Sequence, residues 1–173
     1  EIFRTNITGV ENSIRMFSRH TLPGSRFFMV STAYSCGRYN GLFKEVFYDN
    51  NEDIAGFRNY YEQSKRFAEN VLRKHINENH LPGHAIRLSQ VVGDSRTGVT
   101  KTDYGIFDFA RRVHSLSHRH PNRTIRIKID PEATQNLIAI NTVVNHLVCM
   151  AETPELPVIV NMVSKKPVRS GYI

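Results

Sequence analysis

Tyr61 and Lys65 stand four residues apart in the run Asn59-Tyr60-Tyr61-Glu62-Gln63-Ser64-Lys65. On a helix that spacing sets a phenol beside an ammonium group, with Cβ atoms about 5–6 Å apart. A free phenol has a pKa of about 10, and bringing it near 7 needs roughly 4 kcal/mol at about 1.36 kcal/mol per unit. One cation at ~4 Å in an effective dielectric of ~20 supplies about that much. The spacing therefore predicts a tyrosine that exchanges a proton with a substrate oxygen near neutral pH. Upstream, Ser31 and Thr32 close an apolar run that starts at Phe27, and a hydroxyl at the C-terminal end of a parallel strand can bind the same oxygen. Taken singly, the pair also suits an exposed helix face, and the hydroxyls also suit local backbone bonds. Together they point to acid-base chemistry beside a nucleotide cofactor.

The elements that must position these groups are legible from apolar spacing. Ile7, Val10, Ile14 and Phe17 predict a helix over 6–20, stopped by Leu22-Pro23-Gly24. Phe27-Phe28-Met29-Val30 reads as a buried strand of the parallel kind. Residues 37–56 are aperiodic and read as a loop or lid. Phe57, Ala68, Val71, Leu72 and Ile76 predict the longest helix, 57–79, ended by Leu81-Pro82-Gly83. A strand at 85–88, a polar loop at 93–102, a helix at 104–117 and a strand at 124–129 follow. Asn141 is placed to cap a helix carrying Val143, Val144, Leu147, Val148 and Ala151, and Val158-Ile159-Val160 makes a last strand. Strands alternating with helices give an α/β sheet with crossovers.

At 173 residues the chain suits one domain, here an incomplete one spanning 1–173. None of its ten glycines forms the Gly-x-Gly-x-x-Gly turn that holds a dinucleotide pyrophosphate. The chain opens on Glu1 rather than Met, which suggests an excised segment carrying half of an active site. No apolar stretch is long enough to span a membrane. Cys36 and Cys149 are too few for a disulfide framework, which fits a reducing cytoplasm and a cytoplasmic protein. The net charge of +7 favours anionic partners. Between Asp108 and Asp130 no acidic residue occurs, while Arg111, Arg112, Arg119, Arg123, Arg126 and Lys128 accumulate with His114, His118 and His120. This stretch reads as a solvated face or as a seat for phosphates of coenzyme A or an acidic carrier; nucleic acid is the weaker option. The histidines lack a carboxylate or thiol to complete a metal site.

Asn6 to Asn12 resembles the Asn-x-x-Gly-Thr-x-Asn helix motif of the extended short-chain dehydrogenase/reductase superfamily. Val30-Ser31-Thr32-Ala33-Tyr34 resembles its catalytic strand end, and Tyr61 to Lys65 matches its active-site helix in spacing and order. Arg87-Leu88-Ser89-Gln90-Val91-Val92-Gly93-Asp94-Ser95-Arg96-Thr97-Gly98 is most similar to a run of the male-sterility fatty acyl-CoA and carrier-thioester reductases, with Leu88 in place of Pro. Lys101 to Gly105 continues that likeness. Asn136 to Val144 resembles the Val-Pro-Val-Asp-x-Val segment, with Ala139 and Asn141 replacing Pro and Asp. A phosphate-loop reading of 93–100 fails because Val99 follows Gly98.

The resemblance implies a Rossmann-like doubly wound sheet with a small substrate-binding portion, lacking its N-terminal glycine-rich βαβ unit. It implies that Tyr61 is the acid or base, that Lys65 tunes it and contacts the nicotinamide ribose, and that Thr32 holds the reacting oxygen. Ser31 and Arg96 fall on the substrate side and Ser89 on the cofactor side. The implied activity is reduction by NADP or NAD cofactors of a small-molecule or carrier-bound acyl thioester to aldehyde or alcohol. A nucleotide-sugar epimerase or dehydratase uses the same trio. A third possibility is a non-catalytic fragment that dimerises through helices 6–20 and 57–79. The choice between NAD and NADP lies outside these residues.

Overall fold

The apolar run from Phe27 continues through both hydroxyl residues, so β1 spans Phe27–Thr32 rather than stopping at Val30. The computed structural model describes residues 1–49 and 56–173; the expected loop at 37–56 lies partly outside them. The chain divides into two compact units, Glu1–Ser89 with Met150–Val163, and Gln90–Cys149 with Ser164–Ile173.

In the first unit, a π-helical turn (Arg4–Thr8) leads into α1 (Gly9–His20). After β1 comes α2 (Tyr60–Asn79), then β2 (Gly83–Leu88). β1 and β2 are parallel, in register from Phe27 with Gly83 to Thr32 with Leu88. The helix between them is the long crossover that a parallel pair requires. β2 is the central strand and is buried along Gly83–Arg87. The strand Ile159–Met162 lies parallel on its other side, which gives the expected α/β architecture.

Ile14, Met29, Ala68, Leu72, Leu81, Ala85 and Ile159 form the core of this unit, with Val10, Phe17 and Ile76 packed around it. A Cβ at Gly83 would lie 2.9 Å from Leu72 Cδ1, so α2 and β2 pack closely because this residue has no side chain. α2 starts three residues later than Phe57 because Asn59 caps it, its Oδ1 accepting the Glu62 N–H at 2.9 Å. It ends with His80 in the left-handed region at φ 51°.

The second unit holds short pairs that the sequence pattern does not announce. β3 (Gln90–Val92) runs parallel to β5 (Leu137–Ala139), and β4 (Thr134–Gln135) runs antiparallel to β7 (Val168–Arg169). Ile159–Met162 is accordingly β6. α3 covers Ile106–Arg119, and α4 starts at Ile140. The strand expected at 124–129 does not form. Ile125, Ile127 and Ile129 alternate, yet no described strand pairs with them and they stay 38–46% exposed. Asn141 sits inside α4 and holds the 93–98 turn instead of capping the helix; its Oδ1 accepts from Ser95 N–H at 3.0 Å.

Candidate active site

The candidate residues Thr32, Tyr61 and Lys65 lie at the C-terminal end of β1 and in the first turns of α2. Asn59 and Glu62 fix the start of α2 reciprocally, because the Glu62 carboxylate accepts the Arg58 N–H at 3.0 Å while Asn59 takes the Glu62 N–H. One turn on, Ser64 Oγ donates to the Tyr61 carbonyl at 2.8 Å and accepts from Asn6 Nδ2 at 2.8 Å. The Tyr61 carbonyl is thus tied through Ser64 to Asn6.

Lys65 Nζ donates to the Val30 carbonyl at 3.1 Å and lies 5.8 Å from the Tyr61 ring centre. It has three donors, so two remain for a ligand. Tyr60 points elsewhere, meeting the Phe3 ring edge-on at 5.9 Å.

The electrostatics differ from the sequence-based expectation. Burial pushes the Tyr61 phenol above its usual value rather than toward neutrality. Burial also pulls the Lys65 ammonium down, partly offset by the negative charge of Glu69. Helical spacing alone credits Lys65 with the full Coulomb effect of a cation at ~4 Å, whereas its head group is turned to a backbone carbonyl and desolvation dominates. Tyr61 therefore keeps its phenolic proton at physiological pH.

Ser31 and Thr32 are adjacent on a strand, and their side chains diverge. Ser31 Oγ is buried and donates to Glu69 Oε1 at 2.5 Å. Thr32 Oγ1 accepts the Tyr34 N–H at 3.2 Å and donates to the Leu88 carbonyl at 3.3 Å. The latter bond is long for a hydroxyl, which leaves that proton easily redirected. Across the register from Thr32, β2 ends at Leu88, and the next residue, Ser89, is 6% exposed. Its Oγ has no hydrogen-bond partner among the described residues. A buried hydroxyl without a partner at the C-terminal end of a central parallel strand suits a polar ligand group.

Arg96 belongs to the second unit. Its guanidinium folds back on Asp94 through Nε at 3.2 Å and Nη2 at 2.8 Å, which holds the Asp94 carboxyl down to about 2. Gly93 is required in this turn because a Cβ there would lie 2.5 Å from the Val99 carbonyl oxygen. The His114 and His118 rings, one helical turn apart, lie 4.4 Å from each other and are tilted by 34°, and no cluster of three or more candidate metal ligands occurs among the described residues.

Sequence reasoning missed Glu69, Arg87 and Ser35, which form a buried polar network behind Ser31. The available signals were a carboxylate four residues after Lys65 beside core-facing Ala68, and an arginine inside an apolar strand.

Residues 1–147 match the male sterility protein family, an NAD-binding family, and the chain belongs to it. No individual curated protein matches in sequence. Among solved structures, the chain is similar to the terminal R domain of the myxalamid PKS-NRPS biosynthetic pathway, at 22% identity and TM-score 0.73, over 96% of this chain and 39% of that one. It is also similar to a thiolation-reductase di-domain from an archaeal non-ribosomal peptide synthetase, at 17% identity and TM-score 0.71, over 96% and 35%. UDP-glucuronic acid 4-epimerase from Bacillus cereus, in complex with UDP-glucuronic acid and NAD, matches at 16% identity and TM-score 0.69, over 96% and 48%. These likenesses establish the Rossmann-like fold. The chain spans about half or less of the length of these structures.

Proposed function

We propose that this chain is the catalytic part of an NAD(P)-dependent reductase that converts an acyl thioester, bound to coenzyme A or a carrier, to an aldehyde or alcohol. The observation that carries the reading is Tyr61 beside Lys65, whose ammonium is held on the Val30 carbonyl close to the β1 end that bears Thr32. Membership of the NAD-binding male sterility family and the likeness to a thiolation-reductase di-domain support the substrate class.

The residues present fit a nicotinamide cofactor. Two free donors on Lys65 suit its ribose hydroxyls, and the unpartnered Ser89 Oγ suits a polar group of its ring. The bound cofactor supplies hydride to the thioester carbonyl carbon. Thr32 Oγ1–H and the Tyr61 phenol donate to the carbonyl oxygen, where negative charge develops. Tyr61 Oη then gives its proton to that oxygen, with the Lys65 ammonium stabilising the phenolate left behind; the hemithioacetal so formed returns that proton to Tyr61 and breaks its C–S bond, releasing the aldehyde and a thiolate that takes a proton from water. Arg96, whose side chain is 74% exposed, has Nη1 free of the Asp94 pair and suits an anionic part of the substrate. Arg119, Arg123, Arg126 and Lys128 offer exposed positive charge to phosphates of the carrier arm.

The test is consumption of reduced nicotinamide by the natural full-length polypeptide when acyl-CoA or an acyl carrier is added. Dependence on thioester with release of free thiol supports the reading, and no thioester-dependent consumption rejects it. The second reading, a nucleotide-sugar epimerase or dehydratase, draws on the likeness to the Bacillus cereus epimerase fold. Oxidised cofactor retained through purification, with turnover of a UDP- or dTDP-sugar, would favour it.

Among the described residues no helix is long and apolar enough to cross a membrane. For assembly, we place a homodimer contact on α1 and α2, where Met16 and Tyr60 are 59% and 71% exposed. A monomeric sedimentation profile would reject that contact.

A further inference from the structure

A carboxylate and a guanidinium that are both fully buried tie together every element around the proposed catalytic centre. Glu69 follows Lys65 by one turn on α2 and is 1% exposed; Arg87, on β2, is 0% exposed. They pair through two bonds, Arg87 Nε to Glu69 Oε1 at 3.0 Å and Nη2 to Oε2 at 2.7 Å. Glu69 Oε1 also accepts from Ser31 Oγ at 2.5 Å and Ser35 Oγ at 3.2 Å, so it spans the segment that contains Thr32. Arg87 meanwhile donates to the carbonyls of Lys44 and Val46, each at 3.0 Å, and its guanidinium lies 4.3 Å from the Phe43 ring centre.

The register makes this a row across the sheet. Ser31 is opposite Arg87, and Arg87 is opposite Asn161. Asn161 continues the row by donating Nδ2 to the Phe43 carbonyl at 3.0 Å and its N–H to Glu45 Oε1 at 2.5 Å. Two strands, β2 and β6, thereby hold one loop, Phe43–Val46, and β1 joins them through Ser31 and Glu69. Burying two charges is expensive unless each is paired and hydrogen-bonded, and apolar residues of similar volume would serve stability at least as well. The network instead acts at the residue next to Thr32, where sub-ångström placement governs turnover.

We infer that Glu69 is a positioning residue: through Ser31 it fixes the end of β1 so that the Thr32 hydroxyl stays aimed at the reacting oxygen, and through Arg87 it locks the Phe43–Val46 loop to the same point. The inference rests on the reductase reading above. Glu69 itself touches neither substrate nor cofactor in this assignment.

Ser31→Ala is the discriminating variant, because it removes one bond to Glu69 and leaves the pair with Arg87 intact. In the natural full-length polypeptide, kcat falls on the order of tenfold to a hundredfold, KM stays within about twofold, and Ser31→Thr, which keeps the hydroxyl, restores turnover. Amide exchange of Tyr34, whose N–H is held by Thr32 Oγ1, gives a readout independent of activity and accelerates by about tenfold in Ser31→Ala. If Tyr61→Phe is inactive while Ser31→Ala keeps full kcat and unchanged Tyr34 exchange, the positioning role is overturned and the reductase reading stands. If Tyr61→Phe is itself fully active, the reductase reading fails and takes this inference with it.

Discussion

Lys65 reaches from α2 to the Val30 carbonyl at 3.1 Å, two residues before Thr32, with its ammonium 5.8 Å from the Tyr61 ring centre. One lysine thus ties α2 to the strand end that bears the Thr32 hydroxyl. Burial pushes the Tyr61 phenol above its usual range, so in the proposed reaction the Lys65 charge would act on the phenolate only after the proton has left.

Loss of the Lys65 charge should contribute to the alkaline limb of the pH profile. Burial disfavours its cation, so its pKa lies below 10.5, and disfavours the Tyr61 phenolate, so that pKa lies above 10.0. Burial thus moves the loss of the Lys65 charge to lower pH and the loss of the Tyr61 proton to higher pH than in the free side chains. The kcat profile should fall with a midpoint below that of free lysine. Lys65→Arg, which does not titrate in this range, should move the limb upward in whatever turnover it retains.

Breaking the buried pair from one side should be costly. Arg87→Met or Glu69→Gln leaves an uncompensated buried charge or its partner unsatisfied and should lower stability by about 3–5 kcal/mol in urea unfolding. The double variant Glu69→Leu with Arg87→Met should lose less than the sum of the two. Strict additivity would mean that the pair is not coupled.

Asn59→Ala should cost about 1 kcal/mol, because the Glu62 N–H loses its acceptor and the first turn of α2 frays. Asn59→Asp should retain most of that stability. Chemical denaturation of the three proteins side by side checks the order.

Charge reversal at Arg119 and Arg123 should raise KM for a coenzyme A or carrier thioester several-fold at low salt and leave kcat alone. The difference should shrink as ionic strength rises and the Debye length falls to about 8 Å. An unchanged KM at low salt would assign the stretch to plain solvation.

Most of the first unit was legible because its signals are local. Helical spacing at Val10, Ile14 and Phe17, the apolar run from Phe27, and Tyr61 with Lys65 each specify an element or a group without reference to distant residues. The capping signature Asn59-x-x-Glu62 is present in the sequence and marks the start of α2 correctly. What stayed hidden depends on long-range pairing. Ile125, Ile127 and Ile129 alternate like a strand and find no partner strand among the described residues, whereas Gln90–Val92 and Leu137–Ala139 pair despite weak patterning. The Glu69 and Arg87 network was invisible because residues 18 positions apart meet only once α2 packs on the sheet. The direction of the Tyr61 shift escapes the sequence for a related reason: helical spacing reports proximity to Lys65 but not the desolvation around it.

The most direct measurement compares the natural polypeptide with Tyr61→Phe in thioester-dependent oxidation of NADPH and NADH. Phe keeps the ring and removes only the phenolic hydroxyl. The expected result is a drop in kcat of about 10²–10⁴-fold with the thermal transition unchanged. A Tyr61→Phe protein that remains folded and turns over thioester at the wild-type rate would contradict the assignment of Tyr61 as the proton donor.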